Sequence, residues 1–174
     1  MNILVDFKEW YSKSELISHL TNNVTSTLIL GMEAEAPTKY YSLQLKRTGG
    51  EIGIISSGLG TKPSAIFDIK SNMIIVGYDL MVVGINLDSY TVMFKKALNG
   101  VFYEFILIDN EQSIIVIHEL GAIRLRLTGE TDWSVDTDIV YNFLIDDVGN
   151  LKINTLYELT EFIINVKTGQ ITNT

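Results

Sequence analysis

Glu130-Thr131-Asp132-Trp133-Ser134-Val135-Asp136-Thr137-Asp138-Ile139 places four carboxylates within nine residues of a 174-residue chain. As an extended strand it sends Glu130, Asp132, Ser134, Asp136 and Asp138 to one face and Trp133, Val135 and Ile139 to the other, because successive side chains alternate. Neighbouring carboxylates would stand about 6–7 Å apart and repel one another modestly. A feature that costs stability invites two functional readings, a surface for a basic protein partner or a weak calcium site. The second lacks an Asp-x-Asp-x-Asp-Gly loop with a closing glutamate, so no metal is assigned. The competing reading is that Thr128-Gly129-Glu130 and Asp136-Thr137-Asp138 are turns whose charges keep an edge strand soluble. The candidate partner-binding residues are Glu130, Asp132, Asp136 and Asp138.

Other residues capable of chemistry form no recognisable catalytic set. His118-Glu119 joins an imidazole to a carboxylate, but general-base catalysis also needs a nucleophile or an orienting partner. His19 falls on an expected helix without a companion. Ser56-Ser57-Gly58-Leu59-Gly60-Thr61-Lys62-Pro63-Ser64 lacks the Gly-Lys-Ser/Thr ending of a phosphate loop and runs into a strand-like segment, so it reads as a mobile surface loop. No catalytic residue and no cofactor is assigned, and the expectation is a protein that is not an enzyme.

Charge narrows the partners. The net charge is −8, and residues 104–147 carry all of it: ten acids stand there against Arg124 and Arg126, whereas the other 130 residues hold eleven acids and eleven bases. Such a stretch repels phosphate backbones, which argues against nucleic acid. The 47 % hydrophobic and 20 % charged content is that of a folded chain. Absence of cysteine excludes disulfides and thiolate metal sites and fits a reducing compartment. Met1 to Trp10 lacks the basic start and apolar run of a signal peptide, and no later window reaches the length of a membrane span. The expectation is a cytoplasmic protein with no membrane association.

The elements that must position these residues announce themselves as a repeat. Ile75 to Leu80 leading to Gly84-Ile85-Asn86-Leu87-Asp88, Ile115 to Leu120 leading to Arg124 to Glu130, and Leu156-Tyr157-Glu158-Leu159 leading to Ile163 to Gln170 share one grammar. Each has an acidic residue and a leucine at a turn, then an apolar alternation, then a small-residue turn, with a period of about 40 residues. A fixed period in this range signals stacked β units. In this alignment His118 occupies the place of Tyr78 and Tyr157, so a ring packed near a turn is expected there. Upstream, Ser12-Lys13-Ser14-Glu15 reads as a capping box for a short helix carrying Leu16, Ile17 and Leu20. Val24 to Met32 could extend that helix or form the first strand, and its β-branched residues Val24 to Leu30 favour the strand; Thr48-Gly49-Gly50 reads as the turn of a hairpin. Further turns are expected at Ser71-Asn72, Asn99-Gly100, Asp109-Asn110-Glu111, Thr128-Gly129, Gly149-Asn150 and Thr168-Gly169.

The run of an apolar strand, a Thr-Gly turn (Thr128-Gly129, Thr168-Gly169) and a strand bearing Trp133 resembles the blades of quinoprotein-type β-propellers over roughly the last hundred residues. The resemblance implies strands stacked in sheets with an aromatic filling the space between them. No quinone or metal ligand of those enzymes has a counterpart here, and three units are fewer than the four to eight blades of closed propellers. The expected fold is therefore mainly β: an open antiparallel β-meander of about three 40-residue units, as a sandwich or partial barrel, with one short N-terminal helix. Residues 1–174 are expected to form a single domain, with 1–39 as helix and lead-in and 40–174 as the β-repeat region. The acidic stretch and small size also resemble, as a class, the immunity proteins that bacteria make to inhibit their own toxins. That implies a non-catalytic protein whose acidic face neutralises a basic toxin. The alternative is a structural or accessory β-repeat protein.

Strand content above about a third of the residues is expected. If the alternation around Trp133 holds, Trp133→Ala should lower unfolding stability by about 3–5 kcal/mol in a urea titration, and a variant as stable as the parent would refute that strand register.

Overall fold

A computed structural model describes residues 2–4, 7–24, 26–34, 36–45, 49–108, 112–157 and 161–173. Strands account for 58 % of them, arranged in four sheets with one helix and no closed barrel. The chain opens with β1 (Asn2–Leu4), β2 (Phe7–Trp10), α1 (Lys13–Asn23), β3 (Thr27–Leu30), β4 (Lys39–Leu45) and β5 (Gly50–Ser56). Three meandering units follow: β6 (Ser64–Asp68), β7 (Met73–Tyr78), β8 (Met81–Asn86) and β9 (Thr91–Ala97); β10 (Phe102–Leu107), β11 (Ser113–His118), β12 (Gly121–Arg126) and β13 (Thr131–Asp136); β14 (Val140–Ile145), β15 (Asn150–Thr155), β16 (Glu161–Asn165) and β17 (Ile171–Asn173).

The helix starts where the capping box places it. Ser12 Oγ accepts the Glu15 N–H at 3.2 Å, which satisfies one of the donors that a helix N-terminus leaves free. Leu16 and Leu20, one turn apart, are buried against Ile55 of β5. The sheet beneath runs β2-β4-β5-β3, with β3 and β5 parallel and the other pairs antiparallel. That parallel pair departs from a pure meander: β5 pairs antiparallel with β4 on one side and parallel with β3 on the other, so β4 does not lie beside β3. β1 joins the first repeat unit, pairing antiparallel with β6. Of the expected turns, Thr48 and Asp109-Asn110-Glu111 lie outside the described residues. The others connect strands as expected or lead from one unit to the next.

The sheets stack, and the central strands read as continuous apolar runs because both of their faces are covered. Alternation divides each run between two cores. On β7, Ile74 and Val76 pack toward β4 and β5, while Met73 and Ile75 pack toward β10 and β11. On β11, Ile114 and Val116 face the first unit, while Ile115 and Ile117 face the third, where they meet Leu151, Ile153 and Ile164. The helix covers one end of the stack. At the other end β15 reads Leu151-Lys152-Ile153-Asn154, with only Leu151 and Ile153 in the core, so β15 turns polar side chains to the outer face of the third unit.

The acid-leucine turns join the units. Leu98 N–H donates to the Leu80 carbonyl at 2.9 Å and Phe102 N–H to the Asp79 carbonyl at 2.6 Å. Forty residues on, Thr137 N–H donates to Leu120 O at 2.9 Å and Val140 N–H to Glu119 O at 2.8 Å. Each turn thus holds the exit of its own unit and the entry of the next. The third copy departs from this. Its strand β15 ends at Thr155, so Thr155 rather than Tyr157 takes the place of Tyr78 and His118 at the strand end, and Tyr157 is exposed. Two additional residues' worth of register separate the sequence alignment from the structural one.

The small-residue turns make the second kind of contact. Gly129 (φ +89°) lies on the Phe94 ring of the preceding unit, and Gly169 (φ +72°) lies on Trp133. A Cβ at Gly129 would sit 2.5 Å from Phe94 Cγ, whereas one at Gly149 (φ +83°) would meet nothing within 4 Å. Gly149→Ala therefore isolates the backbone cost of a left-handed residue, about 1–2 kcal/mol. Gly129→Ala should lose about 1–3 kcal/mol more through overpacking. Equal urea midpoints for the two variants would show that the Gly129–Phe94 contact does not hold the units together.

Candidate functional site

Around the candidate carboxylates, β13 spans Thr131–Asp136, and its exposure alternates as expected: Trp133 (8 % exposed) and Val135 are buried, while Asp132, Ser134 and Asp136 face solvent. The strand is shorter than the expected alternation. Glu130 belongs to the turn before it and Asp138 to the bend after it, with Ile139 half-buried. A bulge between Arg124 and Leu125 shifts the pairing from Arg124↔Trp133 to Leu125↔Thr131, which places Asp132 at the irregularity.

The structure therefore divides the four acids between two ends of the unit. Asp132 Oδ1 receives Arg126 Nε at 2.6 Å, its Oδ2 lies 3.4 Å from Arg124 Nε, and Glu130 receives Arg126 Nη1 at 3.3 Å. This pairing raises the Arg126 guanidinium above its ordinary value, through the hydrogen bond it donates to Asp132 first. About 13 Å along the strand, Asp136 accepts from Asn99 Nδ2 at 3.2 Å beside the turn of Glu119-Leu120. Asp138 serves as a cap: its Oδ1 accepts Ile139 N–H at 2.7 Å and its Oδ2 accepts Tyr157 N–H at 3.1 Å. Among the described residues, Glu119, Asp136 and Asp138 enter no salt bridge.

Arg124 is the residue that sequence reasoning passed over. It is buried, donates from Nε to Ser113 Oγ at 3.1 Å, and reaches with Nη1 to the carbonyls of Val166 (2.8 Å) and Lys167 (3.1 Å). Trp133 Nε1 donates to the same Val166 carbonyl at 3.0 Å. One carbonyl of the third unit's turn is thus gripped by two side chains of the second. The signal was an arginine inside the apolar alternation Ala122-Ile123-Arg124-Leu125, where a charge persists only if fully partnered. A recess of about 450 Å³ beside it is lined by Ser113, Arg124, Arg126, Thr128 and Asp132. The arginines there are occupied in the contacts just described.

His118 is buried (2 % exposed) at the end of β11, and its Nδ1 accepts the Leu120 N–H at 3.3 Å. It fills the ring position shared with Tyr78, whose phenol burial pushes up to about 12. His19 does have companions: Nε2 lies 2.9 Å from the buried Glu51 Oε2, and its ring stands 4.5 Å from Trp10, over which Lys8 Nζ sits at 3.6 Å. β5 supplies Glu51 from a position distant in sequence, which no local reading could connect to the helix. The loop 57–62 is tied down: Ser57 N–H donates to Asp79 Oδ2 at 2.7 Å, and Thr61 Oγ1 donates to the Phe102 and Tyr103 carbonyls. Among the described residues no group of three or more His, Asp or Glu side chains is arranged to hold a metal ion, and no helix is long and apolar enough to cross a membrane.

No protein-family model and no curated protein matches the chain. Among solved structures it is similar to the crystal structure of BamB from Moraxella catarrhalis, with 14 % identity and a TM-score of 0.48, over 80 % of this chain and 44 % of that one. The chain spans less than half the length of that protein.

Burial holds His118 below its ordinary value, opposed by the nearby Asp136 charge. A second proton on the ring would also face the Leu120 N–H already bonded to Nδ1. The neutral ring's contribution is full above the unfolded value of about 6.5 and is lost as pH falls from there toward the lower folded value. Urea midpoints should therefore fall between pH 7 and pH 5, and His118→Asn, which retains an acceptor, should flatten that slope. An unchanged slope would assign the acid sensitivity to other groups.

Proposed function

We propose that this β-repeat protein is a non-catalytic binding protein that recognises a basic protein partner through carboxylates displayed at the acid-leucine end of its second unit. The observation that carries the reading is the division of charge. The two arginines of the acidic stretch are consumed by Glu130 and Asp132 at one end, leaving Glu119, Asp136 and Asp138 at the other without a lysine or arginine partner among the described residues. Asp136 and Asp138 thus remain as recognition residues, and Glu130 and Asp132 become structural partners of arginine. A cytoplasmic location and neutralisation of a basic toxin are the finer readings; composition supports them, and the fold adds nothing to them.

Uncompensated carboxylates on a rigid sheet end accelerate encounter with a basic partner and lose effect as salt screens them over about 10 Å at roughly 0.1 M. The test captures partners from the source lysate and measures association rates at two salt concentrations. Glu119→Gln with Asp136→Asn should slow association several-fold at low salt and leave the melting temperature unchanged. Glu130→Gln with Asp132→Asn should leave the on-rate nearly unchanged while lowering stability, because Arg124 loses a partner. Equal on-rates for the parent and the first variant, or an acidic partner, would favour the structural reading of the repeat.

A further inference from the structure

The first strands of the three units differ in what covers their outer edge. β6 is covered by β1, through Asn2↔Phe67, Ile3↔Ile66 and Leu4↔Ala65. The start of β10 is covered by Thr61, which bonds the Phe102 and Tyr103 carbonyls. β14 has a strand neighbour on one side only among the described residues. It is also an apolar exposed edge: Tyr141 is 76 % exposed, Leu144 45 % and Ile145 42 %.

The direction of its backbone groups is set by the ladder. Asp146 N–H donates to Asn150 O across the hairpin, so the even-numbered residues from Asn142 to Asp146 address β15. The odd-numbered ones turn their N–H and C=O outward. Consistent with this, Phe143 N–H is bonded at 2.9 Å by the side-chain carbonyl of its own neighbour, Asn142, which stands where the acceptor of an added strand would be. A bulge between Val140 and Asn142 leaves a regular run of four residues, Asn142 to Ile145, comparable to the three that β1 pairs with on β6.

We propose that the open edge of β14 takes up an extended apolar segment of a partner protein as an added antiparallel strand, with lysine or arginine flanking that segment on both sides. This rests on the reading of the chain as an acidic binding protein and names the form of its ligand. Charge selects the occupant. Glu119, Asp136 and Asp138 border the start of β14, and Asp146 and Asp147 follow its end. Two copies paired through β14 in antiparallel fashion would bring the acids at one end of each strand against those of the other, so self-pairing is opposed and a segment with basic flanks is favoured. Main-chain hydrogen bonds would supply affinity and the alternating apolar side chains register, as in other strand-addition complexes.

The test uses the full chain and a labelled peptide, Lys-Lys-Val-Thr-Val-Thr-Val-Lys-Lys. Binding is read by fluorescence anisotropy and by the amide shifts of Phe143 and Ile145 in ¹⁵N spectra. The expected result is saturable binding that moves those two amides, weakens at least about tenfold when alternate peptide amides are N-methylated, and weakens similarly when the lysines become glutamates. Ile145→Pro removes an outward donor at an edge position where proline is tolerated and should weaken binding about tenfold with an unchanged far-ultraviolet spectrum. Asn142→Ala exposes the Phe143 N–H and should strengthen it a few-fold. Equal, salt-sensitive binding of the parent and N-methylated peptides would overturn strand addition while leaving the acidic reading in place. No binding at millimolar peptide, or a parent chain that sediments as a dimer lost in Ile145→Pro, would overturn it as well.

Discussion

Two pairs of backbone carbonyls hold the repeat together. A four-stranded sheet alone exposes two apolar faces, and what turns such sheets into a stack is a joint that fixes the next sheet's entry relative to the last one's exit. The turns Asp79-Leu80 and Glu119-Leu120 are those joints, since both of their carbonyls accept N–H groups that the surrounding strands cannot satisfy. Unsatisfied groups there would cost about 1–3 kcal/mol each in a buried setting. The leucine and the acid recur because the turn recurs, and Asp79 adds a backward contact by accepting Ser56 Oγ at 2.7 Å from the N-terminal sheet.

With the entry angles fixed, side-chain complementarity follows. Glycine at a positive φ lets the Thr-Gly turn lie flat on an aromatic of the preceding sheet, Phe94 in one case and Trp133 in the other. At the second joint Arg124 and Trp133 converge on Val166 O, so the third unit is held by charge-assisted bonds as well as by packing. A scaffold tied at every turn presents its remaining groups at fixed positions, which is what recognition by preorganised charge requires.

The sequence shows the periodic part of this architecture and little of the rest. Alternation and turn residues were enough to place the helix start at Ser12, the strands about Trp133 and most of the turns, because those depend on neighbours within a few residues. The assignment of Tyr157 to the ring position failed because β15 ends two residues earlier, at Thr155, and a slip of that kind is invisible when both segments contain an apolar residue and an acid. The carboxylate face failed to extend from Glu130 to Asp138 because one bulge and one bend, both set by tertiary hydrogen bonds, cut the strand at each end. Pairings such as His19 with Glu51 and Arg124 with Val166 join residues more than thirty positions apart. Nothing local encodes them.

The acids themselves fall into classes that composition cannot separate. Asp146 accepts the N–H groups of Val148 and Asn150, and those hydrogen bonds, led by Asn150, hold its carboxyl below its ordinary value. Asp138 caps Ile139 and Tyr157 in the same manner. Such residues are required by turns, so their presence in the sequence has a structural cause whatever charge they also offer to a partner. Glu130 and Asp132 are matched by arginines. The acids that cap no backbone group and form no salt bridge with lysine or arginine among the described residues include Glu119 and Asp136. On the reading proposed above, it is these acids, and not the net charge of −8, that would gain from the approach of a basic surface.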